Sequence, residues 1–169
     1  MKTLRILITA AAALVLSSCG YHLGGMKPAG MKDMNTFCVE VFGNETLYPN
    51  AGMLMTTAMA NALQSDGTYR MASRKDADFI VKGTVTRATR ESQITDSDDT
   101  YVSIKLGLTV SVNYKVIERK TGKELYDSTL METTSFFNQV GSTESAVESA
   151  LSYATRRLAD EITIELVTE

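Results

Sequence analysis

The sequence predicts an α+β fold: a two-layer sandwich in strand-helix-strands-helix order, with a mixed, mostly antiparallel sheet and two helices packed on one face. Three observations carry this. Two segments, 51–64 and 141–166, repeat their apolar residues at helical spacing. Between them, Val102 to Val116 alternates apolar and polar residues without a break. The turn Arg119-Lys-Thr-Gly-Lys123 directly after that run then returns the chain as a hairpin partner.

Taken in order, Thr36 to Phe42 reads as a short strand, with Phe37, Val39 and Val41 on one face and Cys38, Glu40 and Phe42 on the other. Gly43 to Asn50 breaks it, and Asn50 is placed to cap the first helix. In that helix, Ala51 to Gln64, Met55, Ala58, Met59, Ala62 and Leu63 share a face, and Ser65-Asp-Gly67 stops it. The methionines are expected in the core, where a flexible thioether fills gaps. Tyr69 to Ser73 is a short strand. From Asp78 to Glu91, Phe79, Val81 and Val85 point one way and Lys82, Thr84, Thr86 and Arg90 the other.

The next strand is the clearest. Val102, Ile104, Leu106, Leu108, Val110, Val112, Tyr114 and Val116 occupy every even position, and every residue between them is small or polar. Fifteen residues at ~3.3 Å each make about 50 Å, well beyond an average strand. Gly122 suits the left-handed position of a bulged turn, and Glu124 to Thr134 returns alongside. The last helix, from Gly141 to about Leu166, buries Val147, Ala150, Leu151, Ala154, Leu158 and Ile162, with Glu144 near the positive end of its dipole. A strand-helix-strand order implies a right-handed crossover and one parallel pair, with hairpins after it. The sheet face away from the helices carries Ser, Thr, Asn, Lys and Gly, and must meet water or a polar partner.

The N-terminus reads as an address. Met1 to Arg5 is basic, and Ile6 to Leu16 is an apolar run too short to span a bilayer. Leu16-Ser-Ser-Cys19 then has the form of a lipobox: Cys19 takes a diacylglycerol and an acyl chain, and small residues before it admit the signal peptidase. Residues 1–18 are therefore a cleaved signal, 19–35 a lipidated, glycine-rich tether, and 36–169 a single domain. Gly20, rather than an aspartate, points to the outer membrane. Lipidation of Cys19 leaves Cys38 without a partner, as a small buried hydrophobe.

Composition excludes several functions. Of 169 residues, 17 are basic and 20 acidic, a net charge of −3. Lys2 and Arg5 leave with the signal, so the mature side chains carry 15 basic groups and a net charge of −5. That balance offers no footprint for nucleic acid and no polybasic patch for an anionic bilayer. The single histidine, His22, lies in the tether, so neither cysteine has a plausible base. No phosphate loop, paired cysteines or HExxH motif is present, and no catalytic residue, metal ligand or cofactor is expected. Asp96-Ser-Asp98-Asp99 reads as a solvated hairpin tip. Lys82, Arg90, Lys105 and Lys115 fall on the open sheet face; they are either ordinary surface cations or an anion-binding set.

Cys19-Gly-Tyr-His-Leu-Gly-Gly directly after the lipobox resembles the start of the mature lipopolysaccharide-assembly lipoproteins, the LptE family. Val39-Glu-Val-Phe-Gly-Asn-Glu-Thr, Ala77-Asp-Phe-Ile-Val-Lys-Gly-Thr-Val and the long strand running into Arg119-Lys-Thr-Gly-Lys-Glu-Leu-Tyr follow in that family's order. The resemblance implies a non-enzymatic outer-membrane lipoprotein on the periplasmic side. It would plug and help assemble the large β-barrel that delivers lipopolysaccharide to the cell surface, and contact lipopolysaccharide itself. Lys82, Arg90, Lys105 and Lys115 are then candidate lipopolysaccharide contacts. The alternative is a periplasmic adaptor lipoprotein that activates a cell-wall synthase.

Overall fold

The computed structural model describes residues 27–93, 104–138 and 143–168. After a 3₁₀ turn at Ala29–Met31 come β1 (Thr36–Val39), β2 (Gly43–Asn44), α1 (Ala51–Asp66), β3 (Arg70–Met71) and β4 (Phe79–Gln93). β5 (Ile104–Glu118), β6 (Glu124–Asn138) and α2 (Thr143–Val167) complete the order. The sheet runs β3-β1-β4-β5-β6, and β2 joins β4 further along. Both helices lie on one face, so the predicted α+β sandwich is the observed architecture.

One parallel pair was expected and three form: β1 with β3, β1 with β4, and β2 with β4. β1 lies between β3 and β4 and runs parallel to both, and the β2 pair arises because the first strand is interrupted. Its alternation holds only to Val39. Glu40 still donates its N–H to the Val81 carbonyl (2.9 Å), but the chain then kinks before rejoining β4 opposite Thr84. The kink reverses two of the expected faces: Val41 is 73% exposed, while Phe42 is turned into the core.

Glycines make that inward turn possible. A Cβ on Gly83 would sit 2.5 Å from the Phe42 ring and 2.4 Å from the Asn113 carbonyl oxygen. One on Gly52 would sit 2.4 Å from the Phe42 carbonyl. The ring thus lies on bare β4 backbone, and α1 approaches the kink as closely as backbone allows. Thr56 fastens the contact, accepting the Phe42 N–H at 2.9 Å and donating to the Gly52 carbonyl at 2.7 Å.

In α1, Met55, Met59 and Leu63 are buried, with Ala58 and Ala62 packed beside them. Gly67 ends the helix in the left-handed conformation (φ 80°), as its sequence position requires. Asn50 does not cap. Its backbone is already helical, its side chain makes no cap bond, and the Ala51 N–H is taken by the Tyr48 carbonyl instead. The third strand is only Arg70–Met71, shorter than expected.

From Leu106 to Val116 every even residue is buried. Gly122 (φ 73°) closes the hairpin, donating its N–H to the Glu118 carbonyl at 2.9 Å. β6 runs on to Asn138, past the expected end at Thr134. All six predicted stripe residues of α2 are buried, joined by Ala159, Leu166 and Val167. Buried Thr155 and Thr163 return their hydroxyls to the carbonyls of Ser152 and Ala159, so neither leaves an unpaired donor.

The end of α2 is held by a tyrosine. Buried Tyr69 packs edge-on to Phe79 (4.9 Å between ring centroids) and donates its hydroxyl to the Leu166 carbonyl at 2.8 Å. That carbonyl belongs to the last helical turn, which has no intrahelical partner to offer. Burial first, then Tyr126 and Asp66, pushes the Tyr69 hydroxyl up to about 12. Its stabilisation is therefore complete below pH ~10 and is lost as pH rises through 12. Tyr69→Phe should cost about 1 kcal/mol near neutral pH. It should also weaken the alkaline fall in stability, as followed by denaturant titration at several pH values.

Candidate functional site

The open sheet face is the candidate, and its register defines it. Residues directly opposite one another share a face. Lys82 faces Lys115, Thr84 faces Asn113, and Asn113 faces Thr129. Hydroxyls and amides pair across the strands: Thr129 donates to Asn113 Oδ1 at 2.8 Å, and the Thr109 and Thr133 hydroxyls are 3.0 Å apart. Met131 interrupts this polar array, 64% exposed opposite Ser111.

Two lysines placed directly opposite would repel. Lys115 avoids this by reaching to β6, where it bonds Asp127 at 2.8 Å and Glu124 at 3.1 Å. Those carboxylates, Asp127 foremost, hold its ammonium charged beyond the ordinary lysine range. Lys82 is exposed and forms no ion pair among the described residues. On this face Lys115 is thus compensated by β6 carboxylates, whereas Lys82 is not paired among the described residues.

Arg90 is not on it. β4 and β5 shift register between Val85 and Arg87, leaving Thr86 as an extra residue. A one-residue bulge exchanges the faces of everything beyond it. Ala88 consequently faces Val110 and Arg90 faces buried Leu108, on the helix side, while exposed Arg87 takes the open-face place. Arg90 instead lines an open groove of about 420 Å³ with Tyr48, Leu54, Val147, Glu144 and Glu148. The backbone of Lys105 pairs with Gln93 and Phe137, in the open-face register, but its side chain lies outside the described ones. The four predicted cations therefore do not form one cluster. Cys19, the signal, His22 and Asp96 to Asp99 also fall outside the described residues.

Cys38 faces the open side opposite Ile80 and is half-buried rather than enclosed. Burial, then Glu40, raises its thiol, and Arg74, paired with Glu40 at 2.8 Å, offsets part of this. Among the described residues, no group of three or more His, Cys, Asp or Glu could hold a metal ion. No helix there is long and apolar enough to cross a membrane.

One anchor had no sequence signal: Asp78 fastens the start of β1 and the residue before it, in a segment whose Met31 and Met34 already belong to the core rather than to a tether. Its carboxylate accepts from the Asn35 N–H (2.9 Å), the Thr36 N–H (3.1 Å) and the Thr36 hydroxyl (2.9 Å). The Asn35 bond foremost, then the Thr36 bonds and Lys120, holds Asp78 below the usual carboxylate range in spite of its partial burial. A lowered folded-state value gives stability that is present above pH ~4 and lost as pH falls through that value. Asp78→Asn should therefore lower stability at neutral pH and flatten its acid limb, measured by denaturant titration from pH 7 to 2.

The model of the lipopolysaccharide-assembly family, LptE, matches residues 34–166. The chain belongs to that family. The match takes in every strand of the sheet and nearly the whole of α2, so the LptE fold and the open sheet face are one unit. No curated protein matches. Among solved structures, the chain is similar to protein CT253 from Chlamydia trachomatis, at 12% identity and TM-score 0.54, over 78% of this chain and 95% of that one. Protein XCC0632 from Xanthomonas campestris is similar at 10% identity and TM-score 0.54, over 85% and 86%. Lipoprotein GNA1162 from Neisseria meningitidis gives 17% and 0.48, over 75% and 99%. At such identities the first two share this chain's fold alone.

Proposed function

We propose that this chain is a non-enzymatic outer-membrane lipoprotein, anchored through Cys19 on the periplasmic side. In this reading it plugs and helps assemble the β-barrel lipopolysaccharide translocon, and assists delivery of lipopolysaccharide to the outer leaflet. The family match over residues 34–166 carries the reading. The architecture suits it: helices cover one sheet face, and the other presents paired hydroxyls and amides to a barrel whose interior is polar.

Lys82, Arg90, Lys105 and Lys115 are the proposed contacts to lipopolysaccharide phosphates, through charge-assisted hydrogen bonds. Their settings rank them. Lys82 is exposed and uncommitted, whereas Lys115 must first give up two carboxylates. Reversing all four charges should weaken lipopolysaccharide binding without unfolding the domain, and Lys82→Glu should contribute more of the loss than Lys115→Glu. Unchanged binding by the fourfold variant would dispose of the contacts.

The reading is tested by purification of the full lipidated chain from detergent-solubilised outer membranes. A very large β-barrel protein should come with it in stoichiometric amount. Recovery of a cell-wall synthase without a barrel would favour the adaptor reading instead. Cys19→Ser should impair delivery more than folding, because the anchor then supplements a large protein contact. A Cys19→Ser chain that cannot fold contradicts that.

A further inference from the structure

The strand that ends the sheet leaves an edge open. β6 is last in the order β3-β1-β4-β5-β6, so it presents a row of backbone N–H and C=O groups that no described strand takes up. Such an edge templates pairing with another chain, and folds blunt it with short strands, prolines, bulges or lysines. The opposite edge, β3, is only 2 residues long. β6 runs for 15 residues without proline, lysine or arginine, and its register against β5 is continuous from Tyr126 to Asn138. Odd residues from Asp127 to Ser135 lie on the open face, with Met131 in the middle of them. Tyr126, Leu130 and Phe136 lie on the helix side and are only partly buried, although they pack on the core. Next to Phe136, α2 residues Ala146, Ala150 and Tyr153 line an open groove of about 530 Å³. Tyr153 is 54% exposed there.

We propose that a second copy of this chain covers this edge, β6 pairing antiparallel with β6 about a two-fold axis at Met131. Residues directly opposite share a face, so an axis that keeps all the helices on one side of the joined sheet must pass through a residue. Met131 is the middle residue of Glu124–Asn138, so this axis alone aligns the whole strand. The sequence is self-complementary about it. Thr129 meets Thr133 of the second copy, Asp127 meets Ser135, and Tyr126 meets Phe136 as an aromatic cross-strand pair. That places Tyr126 of one copy at the groove lined by Phe136 and Tyr153 of the other. The two Met131 side chains lie together, covering the thioether that interrupts the polar face. No carboxylate stands directly opposite another, whereas an axis at Asp127 or Glu132 would oppose like charges. Glu132, diagonal to its own copy across the axis, is answered within each chain by Arg157 at 4.0 Å. About ten backbone hydrogen bonds form across such a ladder, the number a typical stable interface carries. The pairing uses β6 and α2 alone and stands whether or not the chain plugs a barrel.

The experiment uses the full lipidated chain in detergent, with Cys38→Ala to remove the free thiol of β1. Opposite Cα atoms of an antiparallel pair are about 4.5–5.5 Å apart, within disulfide reach. Met131→Cys should therefore cross-link to itself on oxidation and run as a dimer on a non-reducing gel. Thr129→Cys should not, because position 129 faces 133; it should cross-link only when mixed with Thr133→Cys. With the native edge, sedimentation equilibrium should show a reversible dimer. Met131→Lys should weaken it about tenfold or more, by exchanging the thioether contact for two opposed ammonium groups. Its melting temperature should match wild type, because Met131 is 64% exposed. A wild-type chain that stays monomeric up to about 100 μM overturns the proposal, as does a Met131→Lys dimer of unchanged strength. Thr129→Cys cross-linking to itself more readily than Met131→Cys overturns the register. Cross-linking of Met131→Cys to a different protein in outer membranes, and never to itself, overturns the choice of a second copy.

Discussion

Replacing Phe42 with alanine should cost the domain about 3–5 kcal/mol, the usual range for removing a buried phenyl ring. The ring is buried and fills the angle where the first strand leaves the sheet. It lies on Gly83, whose missing side chain leaves nothing to relax into the space. A domain of this size loses roughly 2–4 °C of melting temperature per kcal/mol, so calorimetry should see a fall of about 6–20 °C. Phe42→Leu should lose much less. A Phe42→Ala chain within 1 °C of wild type would mean that the kink is held by Thr56 and the β2 pairing alone.

The converse change, Gly83→Ala, should destabilise by about 1–3 kcal/mol through overpacking. The added methyl meets two obstacles, and they differ in kind. The Phe42 ring at 2.5 Å can rotate or shift; the Asn113 carbonyl oxygen at 2.4 Å is cross-strand backbone and cannot move without loosening the β4–β5 ladder. The two substitutions should therefore couple. In a double-mutant cycle, Phe42→Ala with Gly83→Ala should cost less than the separate losses added together, because the ring clash has gone. It should still be less stable than Phe42→Ala alone, because the Asn113 clash remains. A strictly additive cycle would show that ring and glycine are not in contact.

Legibility varied with how much of a face each segment buries. β5 is buried throughout on its even positions from Leu106 to Val116, so its alternation was readable without any structure. The α2 stripe was readable for the same reason. β1 was not, because its short run of alternation continues past the residue where the chain leaves the sheet. Val41 and Phe42 obey backbone direction there, not sequence parity. Asn50 failed as a cap because its own backbone is already helical (φ −86°, ψ −5°), not the extended conformation from which a capping side chain reaches the helical N–H groups. For β1 a local rule lost to neighbours brought in by the tertiary fold.

The candidate site divides the same way. Lys82 was placed correctly because it precedes the bulge at Thr86, and Arg90 was misplaced because it lies beyond it. No glycine or proline marks that bulge, so nothing in the sequence announces the change of face. The carboxylates on Lys115 were hidden for a related reason: the β5–β6 register shifts between Val116 and Ile117, which decides which β6 residues it meets.

What the sequence determined by itself was the α+β class, the element order, the polar character of one sheet face and the likeness to the lipopolysaccharide-assembly family. All of these come from periodicity or from the order of motifs along the chain. What only the tertiary structure decided was which cations share that face, which are already neutralised, and that Phe42 turns into the core while Val41 is exposed. Those depend on one-residue shifts in strand pairing and on backbone contacts such as Phe42 with Gly52. Hydrophobic pattern cannot encode them, because it sets which side of an element is buried but not the register at which two elements meet.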